Sequence, residues 1–213
     1  NCVPCLDVND PAGHQVIGDR AYSSDPSVVA KLGRAQADGM LAGGLLPVIK
    51  HLPGHGRAGV DSHLELPVVT ASRQELSETD FKPFKDLADL PLGMTGHVLF
   101  TELDPSRPAT LSKTIIVQFI RQCIGFDGLL FTDDLSMQAL GGDIGQRAAR
   151  ALEAGCDIAL HCNGKAGEMH AVASACAALS GPAQNRWQRA LAARLLPDPD
   201  AYEDLCARFE GLI

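Results

Sequence analysis

Short apolar runs alternate with amphipathic stretches through most of the chain. The runs lie near Val3–Val8, Leu45–Lys50, Leu92–Phe100, Gly128–Thr132 and Cys156–Cys162, each the length of a buried strand. Helical patterning fills the intervals. One helix is predicted over Pro26–Ala42, with Asp25 as N-cap, Pro26 at its first position and Gly43-Gly44 as its stop. Others are expected in the Glu75–Phe84 region, capped by Thr70 or Ser72, over Ser112–Ile124 before Gly125, and over Ile144–Ala154 before Gly155. Three more are predicted at the C-terminus, over Glu168–Leu179, Ala183–Leu196 and Pro199–Phe209.

Strand, loop and helix in repetition are the mark of parallel β/α units. Each predicted strand carries polar residues at or near its end: Asp7, Lys50-His51, His97, Asp133-Asp134 and His161 with Asn163. In a β/α barrel such ends converge on one face, whereas an open doubly wound sheet brings them together only near its switch point. Five polar ends favour the barrel, and five strands fall short of eight. The expected fold is therefore α/β, a TIM-type (β/α)8 barrel without its N-terminal strands. No internal repeat or linker divides it, so residues 1–213 are expected to form the C-terminal two-thirds of a single barrel domain.

Composition narrows the function. The net charge of −8 and the absence of a basic block argue against nucleic acid or an anionic membrane surface as partner. No apolar run reaches the roughly 20 residues of a membrane-spanning helix. Seven cysteines are an odd number, and Cys123, Cys156 and Cys176 sit singly in apolar runs, which points to a reduced, cytoplasmic protein. Cys2 and Cys5 have the CxxC spacing but lack a second pair, a weak metal or redox signal. The chain opens at Asn1 in mid-pattern, with neither an initiator methionine nor a signal peptide, and reads as a piece of a longer chain.

The densest chemistry lies in LLPVIKHLPGHGRAGVDSH, residues 45–63, directly after a strand. Asp61 two residues before His63 could accept the ring N–H and leave the other nitrogen to act as general acid and then base; a chance polar pair on a surface loop is the alternative. Asp133 follows the apolar Leu129-Leu130-Phe131 with only Thr132 between, a site for a nucleophile or charge stabiliser. Either Asp133 or Asp134 could instead cap the following turn, and Asp134 suits that role better. Lys50 and His51 could donate to substrate hydroxyls, or serve as an ion-pair partner and a satisfied loop histidine. Arg20 could bind a hydroxyl or acetyl oxygen, or pair with Asp19 or Asp25. His97 could line the pocket or be buried and hydrogen-bonded, and for His161 and Asn163 the structural role is preferred. His51 and His55 with Asp61 and His63 are zinc-ligand types, but Pro53-Gly54 prevents the helical i, i+4 face of HExxH sites, so no metal is expected. No phosphate loop or dinucleotide fingerprint is present, so no cofactor is expected either.

The segments IGDRAYSSDP, KHLPGHGRAGVDSH, MTGHV and GLLFTDDLSM, followed by AGCDIALHCN, together resemble glycoside hydrolase family three. The likeness runs in order from about Cys5 to Asn163 and is nearest to the family's bacterial β-N-acetylglucosaminidases of peptidoglycan recycling. The resemblance implies a β/α barrel and a retaining mechanism. It implies Asp133 as nucleophile, His63 as acid/base oriented by Asp61, and Arg20, Lys50 and His51 as ligands of N-acetylglucosamine. It implies muropeptide substrates, N-acetylglucosaminyl-anhydromuramic acid and its peptide conjugates. The family's first strands, with an aspartate that holds the sugar, have no counterpart in this sequence, so another segment or a second chain is expected to supply them. Leu52 stands where phenylalanine is commoner and Gly96 where alanine is. Two rival readings are a non-catalytic sugar- or muropeptide-sensing barrel and a metal-dependent hydrolase. A histidine acid/base would also admit phosphate in place of water as acceptor.

Overall fold

The computed structural model of the protein describes residues 2–197 and 201–212. Its strands are β1 (Val48–Leu52), β2 (Val68–Val69), β3 (Leu92–Thr95), β4 (Leu99–Phe100), β5 (Leu129–Asp134) and β6 (Ile158–Leu160). Its α-helices are α1 (Pro26–Ala42), α2 (Arg73–Glu78), α3 (Lys82–Asp86), α4 (Ile144–Ala154), α5 (Ala166–Ala175), α6 (Gly181–Ala192) and α7 (Ala201–Glu210), and Ile115–Ile124 winds as a π-helix. The predicted start of the last helix, at Pro199, lies outside the described residues. No helix among the described residues is long and apolar enough to cross a membrane.

The main sheet has the order β1-β3-β5-β6, with every neighbour parallel. Beside β1, Cys5 pairs in parallel with Lys50. There the Val48 N–H donates to the Val3 carbonyl at 2.9 Å and the Leu6 N–H to the Lys50 carbonyl at 2.7 Å. The five extended segments thus follow one another in chain order. That is an arc of a β/α barrel, since a doubly wound sheet would reverse its order at a switch point. The arc is open, because β6 has β5 as its one neighbour among the described residues. The expected TIM-type architecture is present as a partial barrel.

Several predicted boundaries shift for local reasons. The Glu75–Phe84 helix divides into α2 and α3, because Pro83 has no N–H to give and its ring would crowd the carbonyl four residues back. Pro83 then sits in the first turn of α3, where it is tolerated. Ser72 caps α2 in a reciprocal capping box with Glu75. The long third strand stops at Thr95, and Leu99–Phe100 pairs with Val68–Val69 outside the main sheet. The second strand begins after Pro47 and runs to Leu52, and the fifth shortens to Ile158–Leu160.

Side chains alternate across the sheet. Leu6, Ile49 and Leu130 face the helical layer and pack with Phe84, Ile116, Ile120 and Phe126. Phe126 fills the space two glycines leave: a Cβ on Gly93 or Gly128 would fall 2.6–2.7 Å from its ring. The other face gathers Val48, Leu92, Met94, Leu129 and Phe131 with Ala190 of α6. Ion pairs lock α6 to residues just before β5 and β6: Arg186 contacts Asp157 at 3.0 Å and Asp127 at 2.9 Å, and Arg189 contacts Asp127 at 2.7 Å. Asp157 also receives Arg121 at 2.9 Å and the Leu130 N–H at 2.9 Å, with its side chain 5% exposed. Along α7 Tyr202, Leu205 and Phe209 remain exposed.

Asp157→Ala should leave the half-buried Arg121 guanidinium with only its bonds to the Phe126 and Gly128 carbonyls, and should strand the Leu130 N–H. The expected loss is about 3–5 kcal/mol of unfolding free energy, measured by urea denaturation. A loss below about 1 kcal/mol would mean the pair behaves as an exposed one and does not brace the sheet.

Candidate active site

The alternation that builds the two cores also aims the chemistry. On β1 the inner positions run Val48, then Lys50; on β5 they run Leu129, Phe131, then Asp133. The apolar members fill the inner face, and the polar ones emerge where the strands end. Loops there complete the site, as in a barrel's C-terminal face. Arg20, Lys50, His51, His63 and Asp133 line one cleft of about 90 Å³, together with His55, Ser62, Ile17 and Met137. Asp61 stands behind His63, its carboxylate 2.7 Å from Nδ1. The structure therefore brings all six predicted site residues together.

The turn after β1 is shaped by close approach. A Cβ on Gly56 would fall 1.8 Å from the Val8 carbonyl oxygen, so only glycine lets the loop lie against the N-terminal segment. His55 is buried, with Nε2 3.1 Å from the Ser62 hydroxyl, so the start of the loop anchors its far end. On either side of buried Ser62, Asp61 accepts both the backbone N–H of His63 at 2.9 Å and its ring Nδ1–H. These bonds, backbone first, lower the Asp61 pKa. The Gln138 N–H donates to the His63 carbonyl at 3.3 Å, which ties the loop to the segment after β5.

Behind the cleft lies Asp7, fully buried. Its Oδ1 accepts the backbone N–H groups of His51 at 3.1 Å and His55 at 2.7 Å. Its Oδ2 accepts the His51 Nδ1–H at 2.6 Å and the Cys5 thiol at 3.1 Å. Burial alone would raise the carboxyl's pKa, but the charge and hydrogen bonds of His51 outweigh it and hold Asp7 well below the usual carboxylate range. On the far side of the ring, His51 Nε2 lies 3.9 Å from Asp133. In the sequence Asp7 reads only as a polar strand end, and His55 only as a ligand type. The available signal was Asp7's position, matched to that of Asp133 at the close of an apolar run.

The structural alternatives hold elsewhere. His97 is buried, with Nδ1 2.8 Å from the Thr110 hydroxyl and Nε2 3.0 Å from the Asp134 carbonyl. Asp134 caps the turn, accepting the N–H groups of Ser136 and Cys162. The His161 ring meets Asn163 and Glu168. Arg20 donates to the Val16 and Ile17 carbonyls, and neither Asp19 nor Asp25 pairs with it among the described residues. Cys5, Asp7 and His51 place three ligand-type atoms within 4.8 Å. Two of those atoms are only 2.6 Å apart, closer than the roughly 3.4 Å that separates ligands on one tetrahedral zinc, so they fit a hydrogen bond and not an ion. All seven cysteines are free thiols.

Residues 1–192 match the model of the glycosyl hydrolase family 3 N-terminal domain. The chain belongs to that family. The beta-hexosaminidase of Tolumonas auensis is 44% identical over 171 residues, 77% of this chain and 50% of that protein. The NagZ of Neisseria gonorrhoeae, in its complex with N-trifluoroacetyl-D-glucosamine, superposes with a TM-score of 0.81 at 33% identity, over 96% of this chain and 58% of that one. A family 3 beta-N-acetylglucosaminidase from a Paenibacillus species gives 0.81 and 33% over 91% of this chain and 39% of that one. The chain thus spans about half the length of the curated relatives it matches. The family's N-terminal domain is a TIM-type α/β fold, in agreement with the parallel arc.

Burial of the family site makes stability depend on pH. Burial, then the charge of His51, pushes His55 down to about 4 from 6.5. Between these values the unfolded chain binds more protons than the folded one, so stability falls as pH drops through that window. His97 is shifted the same way by burial. Asp7, depressed from 3.8, adds stability that is present above that pH and lost below it. The thermal unfolding midpoint should decline steadily from about pH 6.5 to about pH 4, and His55→Gln should weaken the decline. A midpoint constant across this range would contradict a buried neutral His55.

Proposed function

We propose that the protein is a retaining exo-β-N-acetylglucosaminidase that removes terminal N-acetylglucosamine from muropeptides. One observation carries this reading: the Asp133 carboxylate and the Asp61-held imidazole of His63 line the same cleft. Family membership supports it, as do relatives named beta-hexosaminidase and a relative bound to an N-acylglucosamine.

A glycosidic bond breaks when the leaving oxygen gains a proton and the anomeric carbon gains a partner on its opposite face. With Nδ1 bound to Asp61, His63 offers Nε2 to the leaving oxygen. Asp133 attacks the anomeric carbon and forms a covalent glycosyl-enzyme. Water, deprotonated by His63, then releases the sugar and frees Asp133. An imidazole serves this exchange because it titrates near neutral pH. Lys50 and Arg20 donate to the sugar's hydroxyl and acetyl oxygens, and His51, its Nδ1–H held by Asp7, accepts from a sugar hydroxyl at Nε2. Every proton and bond is handled by side chains of this chain, with no step through a metal or cofactor.

The cleft of about 90 Å³ is below the roughly 300 Å³ at which ligand sites begin. The reading therefore includes completion of the open arc by further barrel strands, from another segment of the protein or from a second chain. Residues 1–213 then form the C-terminal two-thirds of one barrel. Exposed apolar side chains such as Leu64 and Leu196 are consistent with such a partner. The free thiols accord with a cytoplasmic location.

The full-length protein should hydrolyse p-nitrophenyl N-acetyl-β-glucosaminide, with the first-formed sugar retaining its anomeric configuration by NMR. Asp133→Ala should lower kcat by roughly 10⁴–10⁶-fold, and His63→Ala by roughly 10²–10⁴-fold. Chelator should leave the rate unchanged. Inversion at the anomeric carbon, or an Asp133→Ala enzyme of normal turnover, would defeat the assignment. Digestion of N-acetylglucosaminyl-anhydromuramyl peptides, followed by chromatography, tests the substrate class.

A further inference from the structure

We infer that Asp7 is a positioning residue for this reaction: it fixes the His51 ring through Nδ1 and so aims Nε2 at Asp133 and the sugar cleft. The inference rests on the glycosidase reading of the cleft. Asp7 is absent from the cleft lining, so it touches no substrate and acts through His51.

The two oxygens of Asp7 divide their work. Oδ1 takes the backbone N–H groups of His51 and His55, which holds the turn after β1 in place. Oδ2 takes the His51 ring and the Cys5 thiol. The first set shapes the loop, and the second sets a ring orientation and a tautomer. A carboxylate bound to Nδ1–H leaves Nε2 as the nitrogen that faces the cleft, 3.9 Å from Asp133 Oδ2. The imidazole is thereby stretched between a carboxylate with no access to solvent and one that lines the site. Gly96 packs against the same residue, and a Cβ there would stand 3.2 Å from the Cβ of His51.

This division permits a clean substitution. In Asp7→Asn the carbonyl oxygen can keep both backbone bonds, while the new amide NH₂ cannot accept from Nδ1–H. It donates to Nδ1 instead, and the ring proton moves to Nε2. A purely loop-clamping Asp7 would tolerate the change.

The experiment is steady-state kinetics of wild type, Asp7→Asn and Asp133→Ala on p-nitrophenyl N-acetyl-β-glucosaminide, with ¹⁵N NMR of the His51 ring in the full-length protein. Wild type should show a protonated, hydrogen-bonded Nδ1. Asp7→Asn should show the Nε2–H tautomer and a kcat lower by about 10–100-fold, with KM changed far less. Normal kcat and KM in Asp7→Asn would overturn the inference while leaving the glycosidase reading intact. An inactive wild type, or an active Asp133→Ala, would instead defeat that reading, and the positioning role with it. Should Asp7→Asn fail to fold, the wild-type ring decides: an unprotonated Nδ1 overturns the proposal, and a protonated one supports it.

Discussion

A single carboxylate, buried beyond the reach of water, organises the face of the arc where the chemistry lies. Asp7 collects two backbone N–H groups, an imidazole N–H and a thiol. An ionised carboxylate in a protein interior is affordable only with such a set of donors, because desolvation would otherwise drive it neutral. The donors come from the turn after β1, so the need to satisfy the charge folds the loop that carries Lys50, His51 and, through His55 and Ser62, the Asp61–His63 pair. Removal of that side chain would free the turn from the N-terminal segment it now grips.

The opposite ends of the strands obey a different logic. There Asp127 and Asp157 meet Arg121, Arg186 and Arg189 in a network that pins α6 across the inner face. Each of these charges has a partner of opposite sign, and that end of the arc is a brace. At the cleft end, Lys50 has no carboxylate partner among the described residues, Arg20 is satisfied by carbonyls alone, and Asp133 takes the Asp134 N–H on Oδ1 while Oδ2 lies 3.9 Å from His51 Nε2. Cations without carboxylate partners line the cleft, whereas those at the other end are paired.

Much of this was legible in the chain. The strand–helix alternation gave the parallel arc and its order, because buried strands and amphipathic helices have different periods. Asp133 and Lys50 were readable because period-two alternation carries an apolar face to its polar end. What was not legible depended on contacts between distant segments. No local pattern tells that Asp7 would be capped by residues more than forty positions later, or that Asp80, beside the break at Pro83, would meet Arg57 at 2.8 Å. Leu99–Phe100 read as a continuation of a strand, yet His97 turns inward to bridge Thr110 and the Asp134 carbonyl, and the chain leaves the sheet there. Spacing marked His55 as a metal-ligand type, and the fold uses it as a neutral strut.

The site contains the same pair twice, with opposite surroundings. Asp7–His51 and Asp61–His63 are both aspartate-to-Nδ1 contacts, at 2.6 and 2.7 Å. The first is sunk into the protein, with side chains 0% and 7% exposed and only the His51 edge reaching the cleft, so its geometry is fixed by its surroundings. The second is open, with the His63 side chain 61% exposed, so its outer nitrogen is within reach of solvent. The proposed glycosidase reading uses both behaviours at once: a ring of fixed direction beside Asp133, and an acid that becomes a base. In that reading burial alone separates the two roles, since the chemical groups are identical.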